Sequence, residues 1–178
     1  ELMNASGVTQ KLIDFVRALV GHFRGGLAYV VVLVAMILSA ILGSANAVAA
    51  ILCAVIVPEM IHDGYRDDFS AALVCASGVL GPVIPPSVTF VYFSVLSGVS
   101  VTAMFMGGAI PGILIGMAYI AVILFQTKRL NLPKSTDHFD GKILLRSFIK
   151  AIPALLVPVI LVFGITAGVF TPAESGAV

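Results

Sequence analysis

The stretch 78–87 (GVLGPVIPPS) combines three prolines with glycine and serine, inside an uncharged run from residue 69 to 127. Proline has no N–H, so in one continuous helix the carbonyls of Gly78, Gly81 and Pro82 would lose their hydrogen-bond partners. In hydrocarbon an unsatisfied backbone group costs on the order of several kcal/mol, so such a break is tolerated where it lines a cavity or meets a ligand. A single proline would indicate only a packing kink, but three together predict a binding site at membrane depth.

A second break is indicated by residues 43–47 (GSANA), in the middle of the apolar run 27–57. Broken helices expose carbonyl oxygens, which suit a hard cation such as Na+, and helix N-termini, which suit an anionic substrate. Neutral donors and acceptors near the two breaks are the side chains of Ser44, Asn46, Ser77, Ser87 and Thr89. Because no acidic residue lies at this depth, we expect Na+ coupling through backbone oxygens rather than a carboxylate proton relay.

The composition places the chain among membrane proteins. Hydrophobic residues make up 60% of the sequence and charged residues 11%, and the mean hydropathy is +1.12. The runs 25–58, 69–127 and 151–173 contain no charged side chain and no His, and each exceeds the ~20 residues that a membrane helix needs. We therefore expect an all-α polytopic membrane protein. The net charge of +1 gives no reason to expect a nucleic-acid partner.

Catalytic and metal-cluster chemistry have little support in the sequence. The membrane runs contain no nucleophile–base pair, no His cluster and no cofactor loop, so we do not expect an enzyme. His62 beside Asp63 is interpreted as a solvated loop histidine, because no second ligand has useful spacing. Cys53 and Cys75 lie inside apolar runs and are predicted to be packing residues rather than a disulfide or a metal site.

The distribution of basic residues predicts how the run 27–57 is folded. Its 31 residues would extend about 46 Å as one helix, against roughly 30 Å of hydrocarbon. If the run is a re-entrant hairpin, all ten Lys and Arg residues lie on one side of the membrane; if it spans once, they divide three against seven. The positive-inside rule favours the hairpin, with the shared side cytoplasmic.

These runs and the charged stretches between them predict the complete segmentation. It comprises a cytoplasmic or interfacial amphipathic helix at 1–24, a re-entrant hairpin at 25–58, a cytoplasmic turn at 59–68, a broken transmembrane helix at 69–97, a transmembrane helix at 103–125, a basic cytoplasmic loop with an amphipathic helix at 126–150, a transmembrane helix at 151–170, and the start of a further segment at 171–178. For the first helix, packing on neighbouring helices is an alternative to lying in the interface.

Three motifs occur in a characteristic order: 43–50 (GSANAVAA), 81–87 (GPVIPPS) and 168–174 (GVFTPAE). Their order and spacing resemble the large membrane subunit of the tripartite ATP-independent periplasmic (TRAP) transporters, the DctM-like permeases. The resemblance covers essentially all 178 residues but only part of a full subunit, so we expect a fragment of a longer permease. The sequence departs from many members at Leu42 and Val48, where Ser and Asp are common, which leaves the substrate chemistry near the hairpin tip open.

The resemblance implies an elevator-type secondary transporter with two inverted repeats, each containing a re-entrant hairpin and a broken helix. It implies Na+-driven import of an organic acid (a dicarboxylate, sugar acid or sialic acid) that a periplasmic binding protein delivers to the bacterial inner membrane. The further partners are a small membrane subunit, separate or fused, and membrane lipid. Carried over by position, the substrate would contact Ser44, Asn46, Pro85, Pro86, Ser87 and Thr89. Na+ would be held, mainly by backbone carbonyls, at Gly43, Ser44, Ser77, Gly78, Gly81 and Pro82.

Two alternatives to this function remain open from the sequence. One is a carrier of the same superfamily that works without a binding protein. The other is a structural membrane subunit that transports nothing. The second repeat, with the other half of the implied site, is absent from these 178 residues.

Overall fold

The computed structural model describes residues 7–130, 132–133 and 141–166. These residues form seven helices and contain no strand. The helices are α1 (Val8–Val20), α2 (Gly26–Leu42), α3 (Ala45–His62), α4 (Asp67–Gly78), α5 (Val88–Ser97), α6 (Val101–Arg129) and α7 (Gly141–Thr166). The segment predicted at 171–178 and the motif at 168–174 lie outside the described residues.

Three of these helices are long and apolar enough to cross a membrane: α3, residues 101–127 of α6 and residues 141–164 of α7. The prediction of an all-helical membrane protein is therefore confirmed. Since α3 has 18 residues, its length alone is compatible with a span as well as with one limb of a hairpin.

The central helix is α2, which contacts α1, α3, α4, α6 and α7. It is apolar around its whole circumference, a pattern typical of a helix surrounded by protein or lipid. Its fully buried residues are Ala28, Val30, Val31, Val32, Val34, Ala35, Leu38 and Ser39. Five of the six other described helices are therefore positioned against one common surface, that of α2, whereas α5 packs on α6.

The chain folds back between α2 and α3. Gly43 ends α2 with a φ of 60°, a left-handed conformation that glycine adopts without steric cost, and Ser44 is extended. At the other end of the pair, the Tyr65 hydroxyl, just past α3, accepts hydrogen bonds from the amides of Leu27 and Ala28 at the start of α2. The run 27–57 is thus two helices whose outer ends meet. That this hairpin is re-entrant in the membrane stays a prediction.

The amphipathic helix α1 packs against α2 and α7. Its apolar stripe of Leu12, Ile13 and Val16 is at most 2% exposed. The ring centroids of Phe15 and Phe148 lie 5.4 Å apart. Arg17 forms ion pairs with Glu59 in the last turn of α3 (3.6 Å) and with Asp63 just after that helix (3.9 Å). Part of the apolar face of this helix is therefore covered by protein, while Leu19 on it and Phe23 just past its end are exposed, and an interfacial position for the helix stays a prediction.

Two predicted boundaries differ from the structure. Helix α3 continues through Pro58 to His62 and α4 begins at Asp67, so the turn predicted at 59–68 is reduced to residues 63–66. Pro58 removes one helical hydrogen bond, whereas the Asp63 amide still donates to the Glu59 carbonyl at 2.9 Å and closes the last turn. Residues 141–150 of the segment predicted at 126–150 and residues 151–166 of the segment predicted at 151–170 lie in the single helix α7, which continues through Pro153 and Pro158.

The prediction that Cys53 and Cys75 are packing residues is wrong, because both are exposed in the described chain; neither forms a disulfide. Helix α3 buries one narrow stripe at a spacing of four residues: Val48, Leu52, Ile56 and Met60. Cys53 follows this stripe by one position and therefore lies on another face. An apolar run predicts hydrophobic surroundings but does not by itself select the buried face.

Candidate functional site

The hairpin tip lies directly against the proline stretch. A Cβ added to Gly81 would lie 2.6 Å from the Ser44 carbonyl carbon and 2.7 Å from the Ala45 nitrogen. A Cβ added to Gly43 would lie 2.7 Å from the Pro86 carbonyl oxygen. Real Cβ atoms do not approach backbone this closely, so glycine is required on both sides of the contact. The two breaks that the sequence places 35 residues apart therefore form one structural unit.

Backbone hydrogen bonds in the proline stretch follow a series of turns rather than a helix. The Gly78 carbonyl accepts from the Gly81 amide at 3.0 Å, and the Pro82 carbonyl accepts from the Ser87 hydroxyl at 2.7 Å. Two of the three carbonyls expected to lack partners are thus paired, because the chain tightens into turns and Ser87 folds back. The Gly81 carbonyl has no hydrogen-bond partner in the part of the chain that the structure describes.

A cleft of about 370 Å³ opens between the tip and the broken helix. It is lined by Gly43, Ser44, Ala45, Asn46, Pro82, Val88, Thr89 and Tyr92. These residues include the first turns of both α3 and α5, so two helix N-termini face the same space. The first amides of a helix have no intrahelical acceptor and carry a partial positive charge. The cleft is therefore suited to an anion.

Capping differs between these two N-termini. Ser44 precedes α3 in an extended conformation, and its side chain makes no capping hydrogen bond. Ser87 precedes α5 and accepts a hydrogen bond from the Phe90 amide at 3.4 Å. The amides at the start of α3 thus lack side-chain competition from their own cap residue, which leaves them available to a ligand.

The helix ends on the opposite side of the contact have the reverse polarity. Helices α2 and α4 both end at the tip and the proline stretch, so their C-terminal carbonyls lie next to the N-termini of α3 and α5. Ser77, in the last turn of α4, is fully buried and its hydroxyl has no hydrogen-bond partner. Carbonyl oxygens and an unpartnered hydroxyl are ligands suited to a hard cation.

The predicted site residues divide into two groups. Gly43, Ser44, Asn46, Pro82 and Thr89 line the cleft. The others support it from behind: Gly78 and Gly81 approach the backbone of the hairpin, Pro86 contacts Gly43, and Ser77, Pro85 and Ser87 are buried. The structure thus brings all the predicted positions to one place, while the roles assigned to them stay predictions.

Tyr92 is the lining residue with a polar group that sequence reasoning missed. Its side chain is 69% exposed and borders the cleft one turn beyond Val88 and Thr89. The spacing of three and four residues from these positions places it on the same face of a helix that begins at Val88. This spacing could have indicated Tyr92 as a lining residue, but only if the start of α5 at Val88 had been known from the sequence.

Fold and site together define a helical membrane protein with an anion-suited cleft between a hairpin tip and a broken helix. The family model described as "Tripartite ATP-independent periplasmic transporter, DctM component" matches residues 1–178. The chain belongs to this family. The family consists of transporter permeases, which agrees with the prediction that the chain is not an enzyme.

Curated relatives match along the entire chain. The 2,3-diketo-L-gulonate TRAP transporter large permease protein of Escherichia coli is 42% identical over 178 residues, covering 100% of this chain and 42% of the relative. The sialic acid TRAP transporter large permease protein of Vibrio cholerae is 38% identical, covering 99% and 41%. The isethionate TRAP transporter permease protein DctMQ of Oleidesulfovibrio alaskensis is 35% identical, covering 98% and 28%. The chain thus spans about two-fifths or less of the length of these relatives.

Proposed function

We propose that this chain is part of the permease subunit of a Na+-coupled TRAP transporter that imports an organic acid across a bacterial inner membrane. The observation that carries the proposal is the convergence of two helix N-termini and two helix C-termini at the contact between the hairpin tip and the proline stretch. Such a crossing offers amides to an anion and carbonyls to a cation within one site.

The substrate half of the proposal rests on the cleft. A carboxylate placed at the first turns of α3 and α5 would accept from backbone amides, and the side chains of Ser44, Asn46 and Thr89 would contact the rest of the molecule. Pro85, Pro86 and Ser87 hold the start of α5 in place. The relatives named for 2,3-diketo-L-gulonate, sialic acid and isethionate all carry substrates with an acid group, which supports an organic acid as the substrate class.

The Na+ half of the proposal rests on oxygen atoms behind the cleft. The Gly81 carbonyl and the Ser77 hydroxyl have no partner among the described residues. The carbonyls of Gly43, Ser44, Gly78 and Pro82 complete the proposed set, and each carbonyl has two lone pairs, so an existing hydrogen bond does not exclude a cation. No group of three His, Cys, Asp or Glu side chains converges within residues 7–130, 132–133 and 141–166. The set therefore consists of neutral oxygens, which suit Na+.

In the membrane we propose that α2 and α3 form a re-entrant hairpin entered from the cytoplasm and that the site moves by an elevator-type transition. The ends of the hairpin lie beside Arg17, Glu59 and Asp63, a charged cluster that belongs at a water interface. A small membrane subunit and a periplasmic substrate-binding protein complete the transporter. The small subunit is separate or fused, and the name of the DctMQ relative supports the fused form as one arrangement.

The test is uptake by the full-length permease, reconstituted with its small subunit and binding protein and assayed with sialic acid, a C4-dicarboxylate, 2,3-diketo-L-gulonate and isethionate. We expect uptake of at least one of these acids only with a Na+ gradient, and a strong loss after replacement of Pro85 and Pro86 by Ala with membrane insertion unchanged. Transport by that double variant at the normal rate would refute the site. Uptake at normal affinity without the binding protein would favour the binding-protein-independent carrier.

A further inference from the structure

A second cleft lies at the basic end of the molecule, remote from the hairpin tip. It encloses about 520 Å³ between the end of α1, the start of α2 and the end of α6. Its lining includes none of the residues proposed for Na+ or substrate. Three of the lining residues are polar: Arg24, Tyr29 and Thr127. The apolar walls include Leu33, Ile120 and Leu124.

Polarity changes along this cleft from one end to the other. At the polar end the Tyr29 hydroxyl lies 3.5 Å from the Thr127 hydroxyl, which itself donates to the Ile123 carbonyl at 2.7 Å. From Thr127 to Ile120 the cleft follows α6 for seven residues, roughly 10 Å at the rise of a helix. The side chains over that distance are aliphatic. A ligand that fits this gradient has a polar head and an apolar chain.

Arg24 supplies a positive charge at the polar end. Its side chain is exposed, and its Nε donates to the Leu132 carbonyl at 3.2 Å, which holds the guanidinium beside the end of α6. The adjacent Gly25 amide donates to the Pro133 carbonyl at 3.0 Å and fixes the same turn. A guanidinium is planar and permanently charged, and its terminal nitrogens donate in a geometry that matches a phosphate group.

We propose that this cleft binds an anionic glycerophospholipid, with its phosphate against Arg24 and one acyl chain between α2 and α6. In the topology proposed above, this end lies at the cytoplasmic leaflet, where basic pockets between membrane helices attract anionic lipids. Phe23 and Leu124 border the cleft and are 53% and 57% exposed, so its apolar length opens outward rather than into the core. A free anion would contact only the polar end and would leave that length uncovered, so the lipid is the occupant that fits the whole cleft.

The proposal does not depend on Na+ coupling, and its test needs no transport assay. The full-length protein is exposed to equimolar phosphatidylglycerol and phosphatidylcholine, and the tightly retained lipids are counted by native mass spectrometry. We expect phosphatidylglycerol to be preferred. Arg24→Gln should lower its retention about fivefold, the factor expected for one basic residue at a membrane surface. Arg24→Lys should preserve the preference, and Arg129→Gln, which removes an exposed charge outside the cleft, should match the wild type.

A second variant tests the acyl-chain half of the cleft. Leu124→Trp places a larger side chain in the apolar part of the cleft and should reduce retention of both lipids. Circular dichroism should show the same helix content as in the wild type, which excludes unfolding as the cause. Equal losses in Arg24→Gln and Arg129→Gln, or equal retention of the two lipids by the wild type, would overturn the proposal. Displacement of the lipid by millimolar inorganic phosphate would instead identify a free-anion site. A photo-crosslinker at position 124 that captures a protein segment rather than lipid would show that protein covers the cleft, and would likewise overturn it.

Discussion

At the scale of single residues, the contact between the hairpin tip and the proline stretch depends on Gly81. This residue faces the backbone of Ser44 and Ala45, which cannot move aside as a flexible side chain could. A methyl group at this position forces the start of α3 away from the stretch that precedes α5. Because both helix N-termini line the cleft, a shift of one changes the site itself.

Gly81→Ala should destabilise the full-length protein by about 1–3 kcal/mol, the usual cost of inserting a methyl group into a packed site. Gly107→Ala is the matched control, because a Cβ on Gly107 meets nothing within 4 Å. The control should be as stable as the wild type or slightly more stable, since alanine favours a helix over glycine. Unfolding in mixed detergent–SDS micelles measures both variants. If Gly81→Ala unfolds at the same SDS fraction as Gly107→Ala, the close contact is not present.

The sequence indicates which residues lie at the site more readily than it indicates the contacts that each of them makes. Ser87 is foreseen as a polar contact, but in the structure its hydroxyl is occupied by the Pro82 carbonyl and by the Phe90 amide. These bonds require the turn geometry of the intervening prolines, which no residue type specifies. Tyr92 is missed for the related reason that its place beside the cleft depends on where α5 begins.

At the scale of elements, Tyr65 closes the hairpin at the end remote from its tip. Its side chain is 5% exposed and its hydroxyl lies against the amides that begin α2. Burial raises the pKa of Tyr65 to about 12 from an ordinary 10.0, and the amide hydrogen bonds only partly oppose this rise. The folded protein therefore retains the phenol proton over a pH range in which the unfolded chain loses it.

This difference makes the hairpin sensitive to alkaline pH. The contribution of Tyr65 to stability is fully present below pH 10 and is lost as the pH rises toward about 12. Over that range Tyr65 deprotonates in the unfolded chain but not in the folded protein, which stabilises the unfolded state. Tyr65→Phe should be less stable than the wild type at pH 8, since the interaction of the hydroxyl with the amides that begin α2 is lost, but its stability should fall less between pH 10 and 12. Thermal unfolding at a series of pH values measures both effects. Tyr92→Phe changes a side chain that is 69% exposed and is the control; it should lose as much stability between pH 10 and 12 as the wild type does. If Tyr65→Phe also loses as much stability as the wild type over this range, this account is contradicted.

Helix breaks were the elements most accessible from the sequence. Glycine and proline content predicted interruptions at 43–47 and 78–87, and in the structure helices end at Leu42 and Gly78 and resume at Ala45 and Val88. Contacts between distant segments were not accessible. The pairing of Tyr65 with Leu27 and Ala28 depends on the return of the chain at Gly43, and the exposed faces that carry Cys53 and Cys75 depend on which neighbours α3 and α4 select.

At the scale of the whole molecule, the proposed topology places both ends of the hairpin and the end of α6 on the cytoplasmic side. The structure puts these ends together, since Thr127 contacts Gly25 and Tyr29, and Arg17 reaches Asp63. Reporter fusions in the full-length protein after Asp63 and after Arg129 should both give a cytoplasmic signal, as should a fusion after Lys11. A periplasmic signal at Asp63 alone would contradict this topology, because the start of α2 and the end of α3 lie together in the structure.

The central claim is that Na+ binds where the hairpin tip meets the proline stretch, and the most direct measurement is the alkylation rate of Thr89→Cys in the full-length protein. The background carries Cys53→Ala and Cys75→Ala, because both native thiols in this part of the chain are exposed. Thr89 lines the cleft, so ordering of the tip by Na+ should lower its reactivity toward a maleimide several-fold relative to K+ at equal ionic strength. Ser97→Cys, at the far end of α5, should react at the same rate in both salts. A rate at position 89 that does not distinguish Na+ from K+ would contradict the proposed site.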